Sequence, residues 1–149
     1  MNGDDLQGNY AAHMWSWDWM GKNIAIHPKV RPSDIDGWVH QCGEMLMLEG
    51  KVTEERDADI STPQRMAWRQ MKNVTVLLIH TDHAYWVDNK PTRVRGYRVF
   101  PSAGFPWEGA KQAYQPLQSD LSDEETLRSV INVVVGWSWW AATQTRETS

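Results

Sequence analysis

The segment that most constrains the fold is residues 74–79 (VTVLLI), in which Thr75 carries the only polar side-chain group. A continuous aliphatic and β-branched run of this length is typical of a strand that is covered on both faces. Such a strand needs further layers on either side, and helical patterns precede and follow it in the sequence. The sequence therefore predicts a mixed α/β domain with a central mixed β-sheet flanked by helices.

The size and composition predict a single globular domain. The chain has 149 residues, of which 41% are hydrophobic and 23% charged, so long-range disorder and collagen-like structure are excluded. We expect one domain over residues 1–149, with a core at about 9–100 and a C-terminal helix at about 122–143 that packs on it. The formal net charge of −4 means that any contact with nucleic acid must come from a local basic patch.

The cysteine count and the apolar runs indicate the cellular setting. Cys42 is the only cysteine, so an intramolecular disulfide is excluded, and no Cys/His spacing fits structural zinc. No apolar run approaches the ~20 residues that span a bilayer, and the first residues do not resemble a signal peptide. We expect a reducing, cytoplasmic setting without membrane contact.

Local signals place the other elements. Ser122 and Glu125 form a capping-box pattern that opens the last helix. Thr62 is expected to cap a helix whose first residue is Pro63. The remaining predictions are a helix or strand at 9–20, strands at 24–30, 35–39, 45–52, 84–87 and 93–100, an end near residue 72 for the Pro63 helix, and a loop at 101–118.

A hairpin around Cys42 and Gly43 carries the candidate chemistry. If these are the two turn residues, cross-strand partners have numbers that sum to 85. Asp36 then lies opposite Glu49, and Asp34 lies opposite Lys51, all on one face because side chains alternate along a strand. The other face carries the aliphatic residues Ile35, Val39, Leu46, Leu48 and Val52. A turn one residue longer would place the acids and the amine on different faces.

Two opposed carboxylates destabilise a sheet unless a cation lies between them. Oxygen ligands without sulfur or histidine favour Mg²⁺ or Mn²⁺. Lys51 beside such an ion can hold a phosphate oxygen or an attacking water, an arrangement that suits phosphodiester hydrolysis. The alternative is a solvent-facing patch in which Asp34 and Lys51 simply form an ion pair.

The order of these motifs resembles the PD-(D/E)XK nuclease superfamily, and in particular its small phage and prophage members. The matching residues are PSDIDG at 32–37, Glu49-Gly50-Lys51 after twelve intervening residues, Pro63-Gln64-Arg65 at a helix start, and the strand at 74–79. The resemblance implies a restriction-endonuclease-like core and Mg²⁺-dependent (or Mn²⁺-dependent) cleavage of DNA. It implies that Asp36 and Glu49 bind the metal, that Lys51 is catalytic and that Gln64 acts beside them. Asp34 is expected as a further metal ligand.

The chain departs from that family at two points. Gly50 stands where many members have a larger residue, and no glutamate precedes Glu44 to supply the acid that many members carry on the first helix. These departures leave open a second hypothesis, a catalytically inactive nuclease-like module of phage origin that serves binding or assembly.

Two further groups of residues have alternative interpretations. Lys90, Arg93, Arg95 and Arg98 form either a DNA-binding edge or a charged edge strand, with Arg93 and Arg95 on one strand face. Of the ten tryptophans, Trp139 and Trp140 lie outside the apolar face of the last helix. Either this helix is buried nearly all round, or its second face contacts another subunit in a homodimer. His80 and His83 are expected to be structural or surface residues.

Overall fold

The computed structural model describes residues 38–107 and 112–144. The predictions for residues 9–20 and 24–30, and the candidate ligands Asp34 and Asp36, lie outside these ranges. Within them the mixed α/β fold is confirmed, since a five-stranded mixed sheet and a two-stranded sheet occur with two helices. The elements are β1 (Trp38–Gln41), β2 (Glu44–Val52), α1 (Thr62–Gln70), β3 (Val74–Thr81), a 3₁₀ turn (His83–Tyr85), β4 (Trp86–Val87), β5 (Lys90–Pro91), β6 (Gly96–Phe100), β7 (Gln115–Pro116) and α2 (Asp123–Ala142).

The hairpin of β1 and β2 has the predicted register where the structure describes it. Cys42 and Gly43 form the turn, with φ of 52° and 78°, as a two-residue turn with positive φ at both positions requires. Trp38 pairs with Met47, and the pairing continues to Gln41 and Glu44. Every pair sums to 85, so the assumed turn is confirmed for residues 38–47.

The central strand is β3, in the sheet order β1-β2-β3-β6-β7. All eight of its residues are buried, as the aliphatic run predicts. β3 pairs in parallel with β2 and antiparallel with β6. Because parallel neighbours need a crossover connection, the chain between β2 and β3 leaves the sheet and forms α1.

The two faces of the sheet support separate cores. The first core lies between one face and α2, and its fully buried members include Leu46, Leu77, Ile79, Val134 and Trp137. The second lies on the opposite face and consists of Ala58, Ile60, Val74, Val76, Leu78 and Phe100, with Met45, Met47 and Trp68 packed against it. α1 lies over this second face.

Both helices begin with a complete capping box, but one begins earlier than predicted. The Ser122–Glu125 box of α2 is present. In α1 the cap is Ser61, not Thr62, because Gln64 is three residues after Ser61 and completes the reciprocal pair of hydrogen bonds. α1 also ends at Gln70, and Asn73 before β3 has a φ of 62°.

Three other boundaries differ from the predictions. Residues 84–87 are mostly a 3₁₀ turn followed by the short β4. The strand predicted at 93–100 begins only at Gly96, because Val94 N–H donates to Thr126 Oγ1 of α2 instead of a strand neighbour. The predicted loop at 101–118 contains the two-residue β7.

The last helix is broadly but not fully buried. Val133 is buried although it lies off the predicted face, whereas Trp139 is 53% exposed. Within the two described ranges, neither helix has the length and apolar character needed to cross a bilayer.

Candidate functional site

Two of the predicted site residues, Glu49 and Lys51, lie near the end of β2 on the face toward α1. They are two residues apart on one strand, so both side chains project from the same face. Lys51 Nζ lies 4.0 Å from Glu49 Oε1, and the side chains are 34% and 27% exposed. The pair is therefore reachable from solvent and only loosely associated, which leaves both charges available to a ligand.

Gln64 joins this pair from the first turn of α1. Its Oε1 accepts a hydrogen bond from Ser61 N–H at 2.9 Å, as part of the capping box. Its Nε2 donates to Glu49 Oε1 at 3.0 Å. The start of the helix thus orients the amide, and the structure brings Gln64, Glu49 and Lys51 together.

The described residues do not by themselves form a group of metal ligands. Within 38–107 and 112–144, no three His, Cys, Asp or Glu side chains are grouped so that they could hold a metal ion. Glu49 Oε1 accepts from Gln64, and Oε2 accepts no hydrogen bond from any residue in those ranges. A partly exposed carboxylate oxygen is the type of ligand that Mg²⁺ prefers. Glu49 therefore fits a metal site whose other acids would come from the segment that contains Asp34 and Asp36.

An apolar pocket of about 140 Å³ opens beside Glu49 and Gln64. Its other walls come from β2, β3, α1 and Ile60, and they are Met47, Ile60, Ala67, Trp68, Met71 and Val76. The carboxylate of Glu49 therefore has an apolar surface on one side and Lys51 on the other. Because the apolar wall has a low dielectric constant, it strengthens the electric field of Glu49 and Lys51 beside it.

The chain after Lys51 folds back across the same sheet face. We call residues 53–61 the crossing loop. His80 Nε2 lies 3.0 Å from Thr53 O, Arg95 Nη1 donates to Glu55 O at 2.8 Å, and Arg98 Nε donates to Ala58 O at 2.7 Å. Side chains on or beside the sheet therefore fix the main chain of the crossing loop at three points.

His80 is a buried structural residue, as expected from its position at the end of a strand. Its Nε2 can only donate to the carbonyl of Thr53, so Nδ1 carries no proton and accepts from the Tyr114 hydroxyl at 2.7 Å. Burial, as the largest effect, lowers the pKa of His80. Burial raises the pKa of Tyr114 to about 12, which keeps its hydroxyl protonated as the donor. Gly96 makes room for this pair, since a Cβ there would overlap the Tyr114 hydroxyl.

His83, the other histidine considered, lies on the surface. Its Nδ1 contacts Glu54 Oε1 at 2.5 Å, and its side chain is largely exposed. The hydrogen bond from the His83 main-chain N–H, followed by the one from its ring, lowers the pKa of Glu54. The contact joins the start of the crossing loop to the 3₁₀ turn.

The arginines of the predicted basic edge bind other parts of the chain. Arg98 donates to Ala58 O and Gln112 O, and lies 3.9 and 4.0 Å from Asp59 and Asp57. Arg93 donates to Leu121 O and to Asp123. The expectation that Arg93 and Arg95 share a strand face is wrong, because the strand begins after both. Lys90 lies apart from them in β5, in the small sheet.

Two arginines in this region were not predicted as site residues. Arg65 binds both carboxylate oxygens of Asp59 at 2.8 Å, and its guanidinium lies 5.1 Å from the ring centroid of Phe100. Its position directly after Gln64 was the available sequence signal. Arg56 lies exposed in the crossing loop, where the sequence gives no periodic pattern that would single it out.

Comparison of the chain with protein-family models, with curated proteins and with solved structures finds no match in any of the three.

Proposed function

We propose that this protein is a metal-dependent DNA nuclease of the PD-(D/E)XK type, similar to the small phage and prophage members. The observation that supports this most is the grouping of Glu49, Lys51 and Gln64. These residues come from a strand and from the following helix, in the order that the resemblance implies. A capping box alone would require Gln64 to reach Ser61, but not Glu49.

The register of the hairpin supports the placement of the remaining acid. The described ladder runs from Gln41–Glu44 to Trp38–Met47. Two residues further in the same register, Asp36 would lie opposite Glu49, and Asp34 would lie opposite Lys51 two residues beyond that. Antiparallel partners have Cβ atoms about 4.5–5.5 Å apart, close enough for Asp36 and Glu49 to share one cation.

The proposed roles follow from the chemistry of each group. Asp36 and Glu49, with Asp34 as a further ligand, would hold Mg²⁺ or Mn²⁺, which when bound polarises the phosphoryl group and lowers the pKa of water. Lys51 would hold the attacking water or the charge that develops on phosphorus. In the hydrolysis a water oxygen bonds to phosphorus, the bond to the leaving oxygen breaks, and that oxygen takes up a proton. Gln64 would fix the orientation of Glu49.

The rate of DNA cleavage by the Lys51→Ala variant, compared with that of the wild type, tests this function directly. We expect the loss of the ammonium group to lower the rate by on the order of 10²–10³-fold or more, with an almost unchanged Tm, because the side chain is partly exposed and loosely paired. The assay uses linear, circular, single-stranded and four-way-junction DNA with Mg²⁺ or Mn²⁺. Lys72→Ala, an exposed lysine beyond α1, is the matched control. Wild-type rates in Lys51→Ala would refute the proposal.

Metal binding gives an independent readout. Mn²⁺ or Mg²⁺ should raise the Tm of the protein, since a ligand that binds only the folded state stabilises it. Asp36→Asn should remove this increase, and Glu49→Gln should do the same. An increase that survives both substitutions would place the metal elsewhere.

A binding or assembly module remains the second candidate, and one observation favours it. Glu49 accepts a hydrogen bond from Gln64 and lies near the ammonium group of Lys51, so side chains of the protein itself compensate part of its charge. A module of this kind predicts no response of the Tm to divalent ions and no cleavage of any DNA form.

For the assembly state and the location, we propose a homodimer through the Trp-rich end of α2, in the cytoplasm of the host if the gene is phage-borne. Trp139 is the exposed large residue of this region. Light scattering should then give twice the mass of 17.2 kDa for the wild type and the monomer mass for Trp139→Ala. A monomeric wild type would refute the dimer and leave the nuclease proposal intact.

A further inference from the structure

A polar pocket of about 470 Å³ lies beside the crossing loop, and neither the resemblance nor the proposed roles use it. We call it the arginine pocket. Its walls are Glu54, Arg56, Asp82, Tyr85, Arg93, Arg95, Tyr114, Pro116, Leu117 and Ser119. All but two of these residues carry polar side-chain atoms. The volume is in the range of small-ligand sites, which run from about 300 to 1,000 Å³.

Three arginines reach this pocket, and they are held in different ways. Arg93 is largely committed to main-chain carbonyls and to Asp123. Arg95 uses Nη1 for the carbonyls of Thr53 and Glu55, while Nη2 makes no hydrogen bond with a residue in the described ranges. Carbonyl acceptors orient a guanidinium without cancelling its charge. Arg95 is therefore a fixed cation with one edge available.

Arg56 is the cation with the fewest constraints. It is exposed, and it has no hydrogen bond or ion pair with any residue of 38–107 or 112–144. Its guanidinium is free to form the bidentate contact that suits a phosphate group.

The two carboxylates of the pocket are already engaged. Asp82 lies 3.8 Å from Arg95 Nε and also accepts from Ala84 N–H as the cap of the 3₁₀ turn. Glu54 accepts two hydrogen bonds from His83. Asp82 compensates part of the charge of Arg95, and Glu54 keeps its charge while it accepts from His83. The groups left for a ligand are therefore the guanidinium of Arg56 and the Nη2 edge of Arg95. Tyr85 and Tyr114 add aromatic walls, which suit a sugar or base next to a phosphate and not an acidic peptide.

The pocket begins close to the candidate site. Glu54 follows Lys51 by three residues, so the wall starts within about 10 Å of Lys51 along the chain. Successive phosphates of one strand are farther apart through space than their rise of about 3.4 Å along the helix axis, so this length spans roughly two phosphates. A strand whose scissile phosphate lies at Lys51 would place a phosphate a few nucleotides away in the arginine pocket.

We propose that the arginine pocket binds a phosphate of the DNA strand, with Arg56 and Arg95 as its ligands. This inference rests on the proposed function for its substrate class, and it assigns a second contact to that substrate. It differs from the predicted basic edge, because Arg56 takes the main role while Arg98 and Lys90 take none.

The test is binding of a fluorescent single-stranded oligonucleotide to the full chain in EDTA, where no metal-dependent cleavage occurs. Arg56→Ala is compared with Arg69→Ala, which removes the same charge from an exposed arginine in α1, beside a different groove. We expect Arg56→Ala to weaken binding several-fold and to reduce the slope of log K against log salt by about 0.7. Arg69→Ala should leave both quantities near the wild-type values.

If the two substitutions change oligonucleotide binding equally, or if neither changes it, the proposal for the arginine pocket is overturned. If the pocket binds free phosphate instead of DNA, inorganic phosphate should saturate it, and oligonucleotide affinity should be the same in wild type and Arg56→Ala. That result would also overturn the proposal. Displacement of the oligonucleotide by poly-glutamate at equal charge concentration would indicate an acidic-polypeptide site instead. Because binding is measured without metal, loss of the pocket and loss of the nuclease proposal are separate results.

Discussion

The two faces of the central sheet are built by different means. Toward α2, the side chains of β2 and β3 are aliphatic or hydroxylic, apart from the buried Glu44, which accepts a hydrogen bond from Ser102 Oγ. The aliphatic ones meet an apolar face of α2 in a core. The face toward the crossing loop carries both apolar residues and the polar residues Glu49, Lys51, His80 and Arg98. The side chains of His80, Arg95 and Arg98 bind the main chain of the loop. The first face depends on area removed from water, and the second depends on directed hydrogen bonds.

This difference explains why the candidate site lies where it does. Apolar packing tolerates exchange of similar side chains but gives little control over where a polar atom lies. Hydrogen bonds to fixed carbonyls position the crossing loop and the start of α1, and these in turn position Gln64 beside Glu49. The four predictions that follow separate the two modes of stabilisation.

The largest effect on stability is expected on the α2 face. Trp137 is fully buried, so Trp137→Ala should lower the free energy of unfolding by about 3–5 kcal/mol in urea titrations. Asn132→Ala, on the exposed side of the same helix, should cost about 0.5 kcal/mol or less. Similar losses for both would contradict the assignment of α2 to a one-sided core.

A smaller loss is expected when the crossing loop loses a donor. Arg98→Met keeps the aliphatic stem but leaves the carbonyls of Ala58 and Gln112 without their donor, at a cost of about 1–3 kcal/mol. Arg69→Met serves as the exposed control. If Arg98→Met is as stable as wild type in the same denaturation, the loop is not held by this side chain.

The two capping boxes provide a matched pair. Ser61→Ala and Ser122→Ala should each cost about 0.5–2 kcal/mol, because each removes the acceptor for an N–H of the first turn. Ser61→Ala keeps the main-chain N–H that binds Gln64 Oε1, but it removes the Oγ that holds the Gln64 main chain in the first turn. The proposed function therefore adds a difference between the two variants: the cleavage rate should be lower in Ser61→Ala than in Ser122→Ala. Equal cleavage rates in the two variants would separate Gln64 from the chemistry.

The smallest effect concerns pH. In the unfolded chain His80 takes up a proton near pH 6.5, whereas burial keeps its pKa lower in the folded protein. The unfolded state therefore binds more protons below about pH 6.5, and the stability due to His80 is full above that pH and falls as the pH falls through it. Tm measured from pH 7.5 to 5.5 should decline less in His80→Gln than in wild type, and parallel profiles would exclude His80 as the cause.

Local signals predicted the parts of the fold that local chemistry decides. The hairpin register follows from one two-residue turn, the central strand from its aliphatic run, and the start of α2 from its capping box. The same spacing joins Ser61 and Gln64 at the start of α1, and it locates the cap better than the position of Thr62 before Pro63 does.

The remaining features depend on contacts between distant segments. Ahead of β6, Val94 N–H donates to Thr126 Oγ1 of α2, which is 32 residues further along the chain. Arg98 was assigned to DNA because its sequence neighbours are cationic, yet its partners are carbonyls of residues 58 and 112. Of the candidate site, Glu49 and Lys51 share a strand face as their spacing predicted, and Gln64 lies beside Glu49 as the resemblance implied. The acids at 34 and 36 lie outside the described residues.

The identity of residue 64 is decided by the neighbouring strand and not by the helix that contains it. A capping box accepts glutamate as readily as glutamine, since either side chain can reach back to the N–H of the cap. Only the amide has a second end that carries hydrogens, and here that end meets Glu49. Glutamate at position 64 would preserve the helix start but would place its carboxylate next to that of Glu49. The preference for glutamine at this position therefore comes from Glu49 in β2.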